Sequence, residues 1–431
     1  MGMEKVVDTS PILDEMLLDV ATEIELTNHD RDIADRRFAR LRQHLARLES
    51  PLRPYLVDAA AQIYPQGSMS IGTTVVNGRD DDRYDVDAIV EIDVPAHWTP
   101  QDVRDNLEVA LEGFPGVDDI EACTRCVQLR FPNMHMDVTI LDPKDGATAP
   151  RQGDIFHTPD RGQHTRVPSN PFGFSHWYRR AVSIHADFAK ALASRRGRSH
   201  DRLQESALEK VLARSQSQLT PSIPPRLDSE QVVALKLLKR HINIEYENKD
   251  LRRPPSIYFT KHSADVGPID SGLTDQLIAL AYFTSQKLRA CLVSNTMPDE
   301  RNPTYDQDRI NDRWPTSQQD MKVCAETLED LASSLVNAKS MAMGDIVKLF
   351  SRLFGERVSA NVYKTLSKRY EQSASHKGMD YERGVGTVIA ASGMASPGIA
   401  RASAPRQTFH RGELVEGIAT LLTNVIQRLR E

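Results

Sequence analysis

Apolar residues first recur every three or four positions, the spacing of a helix with one buried face. Ser10-Pro11 supplies a capping residue and a proline at the first helical position, and "ILDEMLLDVATEI" follows with helical spacing. A second helix is predicted through "DIADRRFARLRQHLARLE", where Ile33, Phe38, Leu41, Leu45 and Leu48 form a stripe opposite Arg36, Arg40, Arg42 and Arg47. Such a basic face is either solvated or a nucleic-acid contact. From Tyr64 to Leu141 the period changes to two. In "YDVDAIVEI" Val86, Ala88, Val90 and Ile92 face one way, and Asp85, Asp87, Ile89 and Glu91 the other. "CVQLRF" and "MHMDVTIL" flank Pro132-Asn133 and predict a β-hairpin, with Met136, Val138 and Ile140 on its apolar side and His135, Asp137 and Thr139 opposite.

After Pro168 the pattern is helical again. "FGFSHWYRRAVSIHADFAKALAS" places Phe174, Trp177, Ala181, Ile184 and Phe188 on one stripe, and the breaker-rich stretch 195–226 reads as a surface insertion. Asp228, with Gln231 three residues on, predicts a capping box for "SEQVVALKLLKRHINIEYE". Further helices are predicted from Ser271 to Leu292, Ser317 to Leu335, Met343 to Phe354 and Ala360 to Tyr370, with Gly355 at a helix end. Residues 384–407 are Gly/Ala/Ser/Pro-rich and read as a linker to a last amphipathic helix aligning Leu414, Ile418, Leu421, Val425 and Leu429. The expected fold class is α+β and bilobal: N-terminal helices and a mixed-sheet core in 1–167, a helical lobe in 168–375, and linker plus terminal helix in 376–431.

Composition narrows the function classes. The 431 residues carry a net charge of −6, which disfavours generic nucleic-acid binding. No run of about 18 apolar residues predicts a membrane span. "MGMEKVVDTS" is polar and acidic where a secretory leader would start basic, and four cysteines fit a reducing cytoplasm. Cys123 and Cys126 in "CTRC" lack a second ligand pair at zinc spacing and read as small apolar residues of an extended segment, pointing to opposite faces.

Carboxylates are dense around residues 80–87. Asp85 and Asp87 share a strand face, about 6–7 Å apart along it, and Asp137 would join them from a neighbouring strand. Three such carboxylates repel unless a cation neutralises them, and hard oxygen ligands select magnesium or manganese. The competing reading is a sheet's wet face, which accounts for any one aspartate. Gly67-Ser68 allows close backbone approach and adds a hydroxyl for a polyphosphate. Asp80, Asp81 and Asp82 are expected in a solvated loop, and His135 either relays a proton or stays at the surface.

Gly-Ser, then Asp-x-Asp on a strand, then a third acid resembles the nucleotidyltransferase superfamily of DNA polymerase β type. "SNPFGFSHWY", "LKLLKRHINIEYE" with "PPSIYFTKHSADV", and "RNPTYDQDRINDRWP" narrow the resemblance to the cGAS/DncV-like nucleotidyltransferases (CD-NTases) of bacterial CBASS anti-phage systems, relatives of the oligoadenylate synthases. The resemblance implies a polymerase β-like core in which Gln66, Gly67 and Ser68 hold a donor triphosphate. It further implies that Asp85, Asp87 and Asp137 are catalytic and bind two Mg2+ (or Mn2+) ions per active site. Lys239, or else Lys236, would reach the triphosphate from the helical lobe; Ser256 would touch phosphate; and Ile257 falls where a ring often stacks on the base, a task open to Tyr258. The implied activity is synthesis of a cyclic oligonucleotide second messenger, with ATP and GTP as substrates and a purine dinucleotide as product. No nucleic-acid activator is expected, the downstream effector binds the product, and a regulatory partner is open. The alternatives are a nucleotidyltransferase making linear products or acting on another acceptor, and an inactive nucleic-acid-binding scaffold.

Overall fold

The computed structural model describes residues 10–76, 83–200, 223–375, 379–381 and 388–390. The expected loop carrying Asp80 to Asp82, most of the insertion, and the linker with its terminal helix lie outside the described residues.

One mixed sheet forms the first lobe. Its strands are β1 (Ile63–Gln66), β2 (Tyr84–Glu91), β3 (Asp119–Ala122), β4 (Val127–Phe131), β5 (Met134–Pro143), β6 (Gly153–His157) and β7 (Thr165–Ser169). They run in the order β1-β2-β5-β4-β3, with β6 beside β5 and β7 beside β6. β2 and β5 are parallel and every other pair is antiparallel. The predicted hairpin forms with Phe131 paired to Met134, and the alternation in β2 holds: Val86, Ala88 and Val90 are fully buried. That apolar side packs on α2 (Asn28–Leu45), which follows α1 (Ser10–Ile24) and buries Phe38, Leu41 and Leu45. Thr27 and Asp30 form a capping box that starts α2. The basic face of α2 divides: Arg42 donates to Ile63 O and Arg47 to Ala110 O, while Arg36 and Arg40 are exposed. Leu48 lies past the helix end and is 74% exposed, so it leaves the predicted stripe.

Two one-turn helices, α3 (Ala59–Gln62) and α4 (Gly67–Ser70), flank β1, and α5 (Pro100–Leu111) covers the sheet. The predicted single helix after Pro168 is two, α6 (Pro171–Ala181) and α7 (Ala186–His200). The chain turns extended at Val182 and leaves Ile184 53% exposed, which breaks the expected stripe. Then come α8 (Glu230–Tyr246), α9 (Ser256–Val266), α10 (Leu273–Ser294), the hairpin β8 (Arg301–Asn302) with β9 (Tyr305–Arg309), α11 (Gln318–Ala338), α12 (Met343–Phe354) and α13 (Glu356–Ser375). The predicted capping box at α8 does not form. Ser229 is the N-cap residue without a side-chain cap, Asp228 pairs with Arg196, and Gln231 bonds Ser183 N and Ser263 O. Tertiary partners outcompete the local cap because both side chains meet donors or acceptors from other helices.

The helices share a second core around α8, where Leu235, Leu237 and Leu238 are fully buried. Helix α1, grouped with the sheet by chain order, buries Leu13, Met16, Leu17, Val20 and Ile24 in this helical core. The "CTRC" segment also differs from expectation. Cys123 and Cys126 flank a reversal between β3 and β4, with Cys123 N donating to Cys126 O at 2.8 Å, so they stand side by side. Among the described residues no helix is long and apolar enough to cross a membrane.

Candidate active site

Four adjacent strands set a row of polar residues across the sheet. Gln66 pairs with Asp87, Asp87 with Asp137, and Asp137 with Gln128. Strand neighbours lie about 4.8 Å apart, so the register alone brings the aspartates together. Asp85 lies two residues before Asp87 on the same face, paired with His135, whose Nδ1 is 3.5 Å from Asp85 Oδ1. Gln128 Nε2 donates to Asp137 Oδ1 at 2.7 Å, and Cys126, two residues before Gln128, lies on the same face of the sheet.

Gly67 sits at the bend from β1 into α4 with φ +59°, a conformation open to glycine. A β-carbon there would overlap the Asp87 carboxylate, so the missing side chain is what lets the turn close on the acids. Ser68 Oγ lies 3.0 Å from Thr74 Oγ1, and Thr73 N donates to Ser68 O at 2.8 Å, folding the turn back on itself. Ser70 Oγ donates to Gly67 O at 2.8 Å and meets Ser175 Oγ of α6 at 2.7 Å.

Opposite this wall, the helical lobe closes a cleft of about 540 Å³, within the usual range of small-ligand sites. Lining it are Gln66, Gly67, Ser68, Asp85, Asp87 and Asp137 on one side, and Lys239, Ser256 and Ile257 on the other. Lys239 Nζ donates to Thr73 O at 2.8 Å, beside the Gly-Ser turn. Lys236 points elsewhere, buried and 3.0 Å from Glu25 Oε2, and so gives no support to the second choice of lysine. Tyr258 is fully buried against Trp314 and His262 and lines no part of the cleft. His135 also stays outside the cleft lining. The motifs around Asn170 and Asn302 brace the helical lobe, where Asn170 Oδ1 accepts from Gly173 N to start α6 and Asn302 Nδ2 donates to Asn170 O, while Trp314 reaches the cleft lining.

The acids are electrically crowded. Burial, then Asp137 and Asp85, push the Asp87 carboxyl up to about 8, and burial together with Asp85 also raises Asp137. Lys239 is brought down to about 8 by burial and by Arg253, against the pull of Asp87 and Asp85. A hard cation would take the place of the proton these acids otherwise hold. The three carboxylates share one wall but are not drawn to a single point. Among the described residues, the group whose ligand atoms all lie within 4.8 Å of one another is His262, Asp265 and Glu300. There Lys261 and Lys287 already neutralise the carboxylates, so no charge is left for a metal.

Sequence reasoning missed the arginines of the cleft. Arg125, Arg252, Arg253 and Arg313 line it together with Asp308 and Asp312. Arg252-Arg253 directly precede the Pro254-Pro255 that lead into α9, a basic pair beside a recognised segment, and were findable on that ground. Arg313 lies inside the quoted "RNPTYDQDRINDRWP" and was findable in the same way, whereas Arg125 had no local signal.

No protein-family model matches the chain. It is 30% identical over 385 residues to the cyclic dinucleotide synthase CdnG of Bradyrhizobium diazoefficiens, covering 88% of this chain and 89% of that protein. The structure of the B. diazoefficiens CD-NTase CdnG in complex with GTP superposes with a TM-score of 0.69 at 28% identity, covering 83% of this chain and 99% of the other. Escherichia coli MS115-1 CdnC with ATP gives a TM-score of 0.51 at 15% identity, over 81% and 98% of the two chains, a likeness of fold alone.

Proposed function

The chain belongs to the CD-NTases, the cGAS/DncV-like nucleotidyltransferases, and from that premise we propose that it joins purine nucleoside triphosphates into a cyclic dinucleotide second messenger for anti-phage signalling in the cytoplasm. One observation carries the reading: Asp85, Asp87, Asp137 and the Gly67-Ser68 turn share a cleft wall that faces Lys239. The substrate class is supported by the relative that is a cyclic dinucleotide synthase and by its structure with GTP.

In this reading an acceptor hydroxyl attacks the α-phosphorus of the donor, an O–P bond forms, pyrophosphate leaves, and the hydroxyl proton passes to solvent. Ser68 and the backbone at Gly67 bind the donor triphosphate, and Lys239 offsets its charge from the other lobe. Asp85, Asp87 and Asp137 would hold magnesium or manganese, two ions in our reading. Those ions supply a lowered acceptor pKa and stabilisation of the departing charge. The donor set fits them: all three groups are hard oxygen ligands, and burial first, then neighbouring acids, pushes Asp87 and Asp137 up. Gln128 fixes the orientation of Asp137. The remaining arginines give the cleft the charge to hold a second triphosphate and a linear intermediate while it turns for ring closure. Four free cysteines support a reducing compartment.

The test is incubation of the purified protein with labelled NTPs and magnesium, with no nucleic acid, followed by phosphatase and mass spectrometry. Phosphatase-resistant cyclic purine dinucleotides are expected. Linear, phosphatase-sensitive products would replace the cyclase reading with simple oligomer synthesis. Absence of pyrophosphate release from all four NTPs would refute it.

A further inference from the structure

Cys123 and Cys126 form a dithiol against the candidate catalytic acids. The strands β3 and β4 pair Ala122 with Val127, and the next opposed pair is Cys123 with Cys126, closed by the 2.8 Å bond from Cys123 N to Cys126 O. Directly opposed residues of an antiparallel pair project to one face, with α-carbons about 5.5 Å apart where they are hydrogen-bonded. That separation falls inside the roughly 4.4–6.8 Å spanned by disulfides. Both residues are free thiols and partly exposed.

The turn has consequences in two directions. Inward, Cys126 stands two residues before Gln128, the strand partner of Asp137, and so lies on the same face of the sheet as that acid. Outward, Arg125 is ion-paired with Asp312, and Arg313 Nη1 donates to Thr124 Oγ1 at 3.3 Å, tying the turn to the opposite wall of the cleft. Thr124 O also accepts from Thr158 N at 2.8 Å. A change of covalent state here reaches a candidate metal ligand and the contact between lobes together.

We propose that Cys123 and Cys126 are a reversible oxidation site, and that their disulfide lowers nucleotidyl transfer. The inference rests on the assignment of Asp137 to the reaction. The oxidant is a peroxide. The Cys123 sulfur attacks one peroxide oxygen, the O–O bond breaks, and a sulfenic acid and one water form. The Cys126 sulfur then attacks the sulfenic sulfur, the S–S bond forms and a second water leaves, so two thiols and hydrogen peroxide give a disulfide and two waters. Joining the two sulfurs replaces the thiol beside Asp137 and reshapes the turn that Asp312 and Arg313 hold. In a reducing cell a disulfide in such a position is transient, as regulatory ones are.

The experiment treats the full-length protein with hydrogen peroxide, alkylates the remaining thiols, and maps them by mass spectrometry while pyrophosphate release is followed. The expected result is a peptide spanning both residues that has lost two hydrogens, with Cys324 still alkylated after unfolding. Activity is expected to fall roughly 10–100-fold, the usual cost of disturbing a group that orients a metal ligand, and dithiothreitol restores it. Cys123→Ser, or Cys123→Ala as a second variant, is expected to keep the reduced rate and lose the sensitivity. The proposal is overturned if no bond forms between these two residues, if it forms and the rate is unchanged, or if the Cys123 variants remain as sensitive as the parent. A reduced protein with no activity at all would overturn the nucleotidyltransferase reading as well, and so separates that failure from the others.

Discussion

Replacing Asp87 with asparagine tests whether the acid row is built for a cation. In the folded chain the Asp87 carboxyl is pushed from 3.8 up to about 8 by burial and its two neighbours. At neutral pH the fold therefore holds a proton that the unfolded chain has released. The sign follows from linkage: an acid with a raised folded pKa costs the fold nothing below about pH 4, and progressively more as pH rises towards 8. Each pH unit in that window is worth about 1.4 kcal/mol, giving a ceiling of about 4 kcal/mol at pH 7. Asparagine removes that cost but still needs hydrogen-bond partners, so a gain of about 2 kcal/mol is expected. In a chain this long each kcal/mol moves Tm by roughly 1–2 °C. Thermal unfolding in chelator is expected to place Asp87→Asn a few degrees above the parent, with the gap wider at about pH 7.5 than at about pH 6. Magnesium or manganese is expected to raise the parent's Tm and not the variant's, and the variant is expected to release no pyrophosphate. A variant less stable than the parent without metal, or a gap indifferent to pH, would refute the reasoning. Asp87 would then be ionised and satisfied by protein groups alone.

Gly67→Ala combines a φ of +59° with a β-carbon that meets the Asp87 carboxylate; about 1–3 kcal/mol of stability is expected to be lost in chemical unfolding, with pyrophosphate release near background. The two buried lysines are expected to separate: Lys239→Met raises the KM for NTP about tenfold with little change in Tm, whereas Lys236→Met takes from buried Glu25 one of its two ion-pair partners, leaving Arg196, and costs about 3 kcal/mol. Glu25 is held down to about 2 because Lys236 and Arg196 outweigh its burial. Its contribution is fully present above about pH 4.5 and fades as pH falls towards 2, which an acid titration followed by tryptophan fluorescence measures. Asn170→Ala removes the cap of α6 and is expected to cost about 1–2 kcal/mol, read as a lower midpoint in urea with KM for NTP unchanged.

Period-two and period-3.6 patterns revealed most of the elements because each buries one face. β2, β5 and α12 lie where the pattern put them, and Gly67, Asp85, Asp87, Asp137 and Lys239 line one cleft as spacing and resemblance suggested. What stayed hidden depends on contacts distant in the chain. Arg125 pairs with Asp312 and Arg313 with Thr124, partners 187 and 189 positions apart, and nothing near Arg125 says so. The capping box at Asp228 and Gln231 looked sound locally and lost to Arg196 and Ser183. Cys123 and Cys126 were assigned to opposite faces because a two-residue reversal inside a short polar run leaves no periodic trace.

The segment after the Gly-Ser turn belongs to both halves of the molecule: Met69 is buried in the sheet's core and Ile71 among the helices. Between them Ser70 bonds both Gly67 O and Ser175 Oγ, so this short stretch ties the Gly-Ser turn directly to α6. A shift of α6 against the sheet would therefore be felt in the shape of that turn.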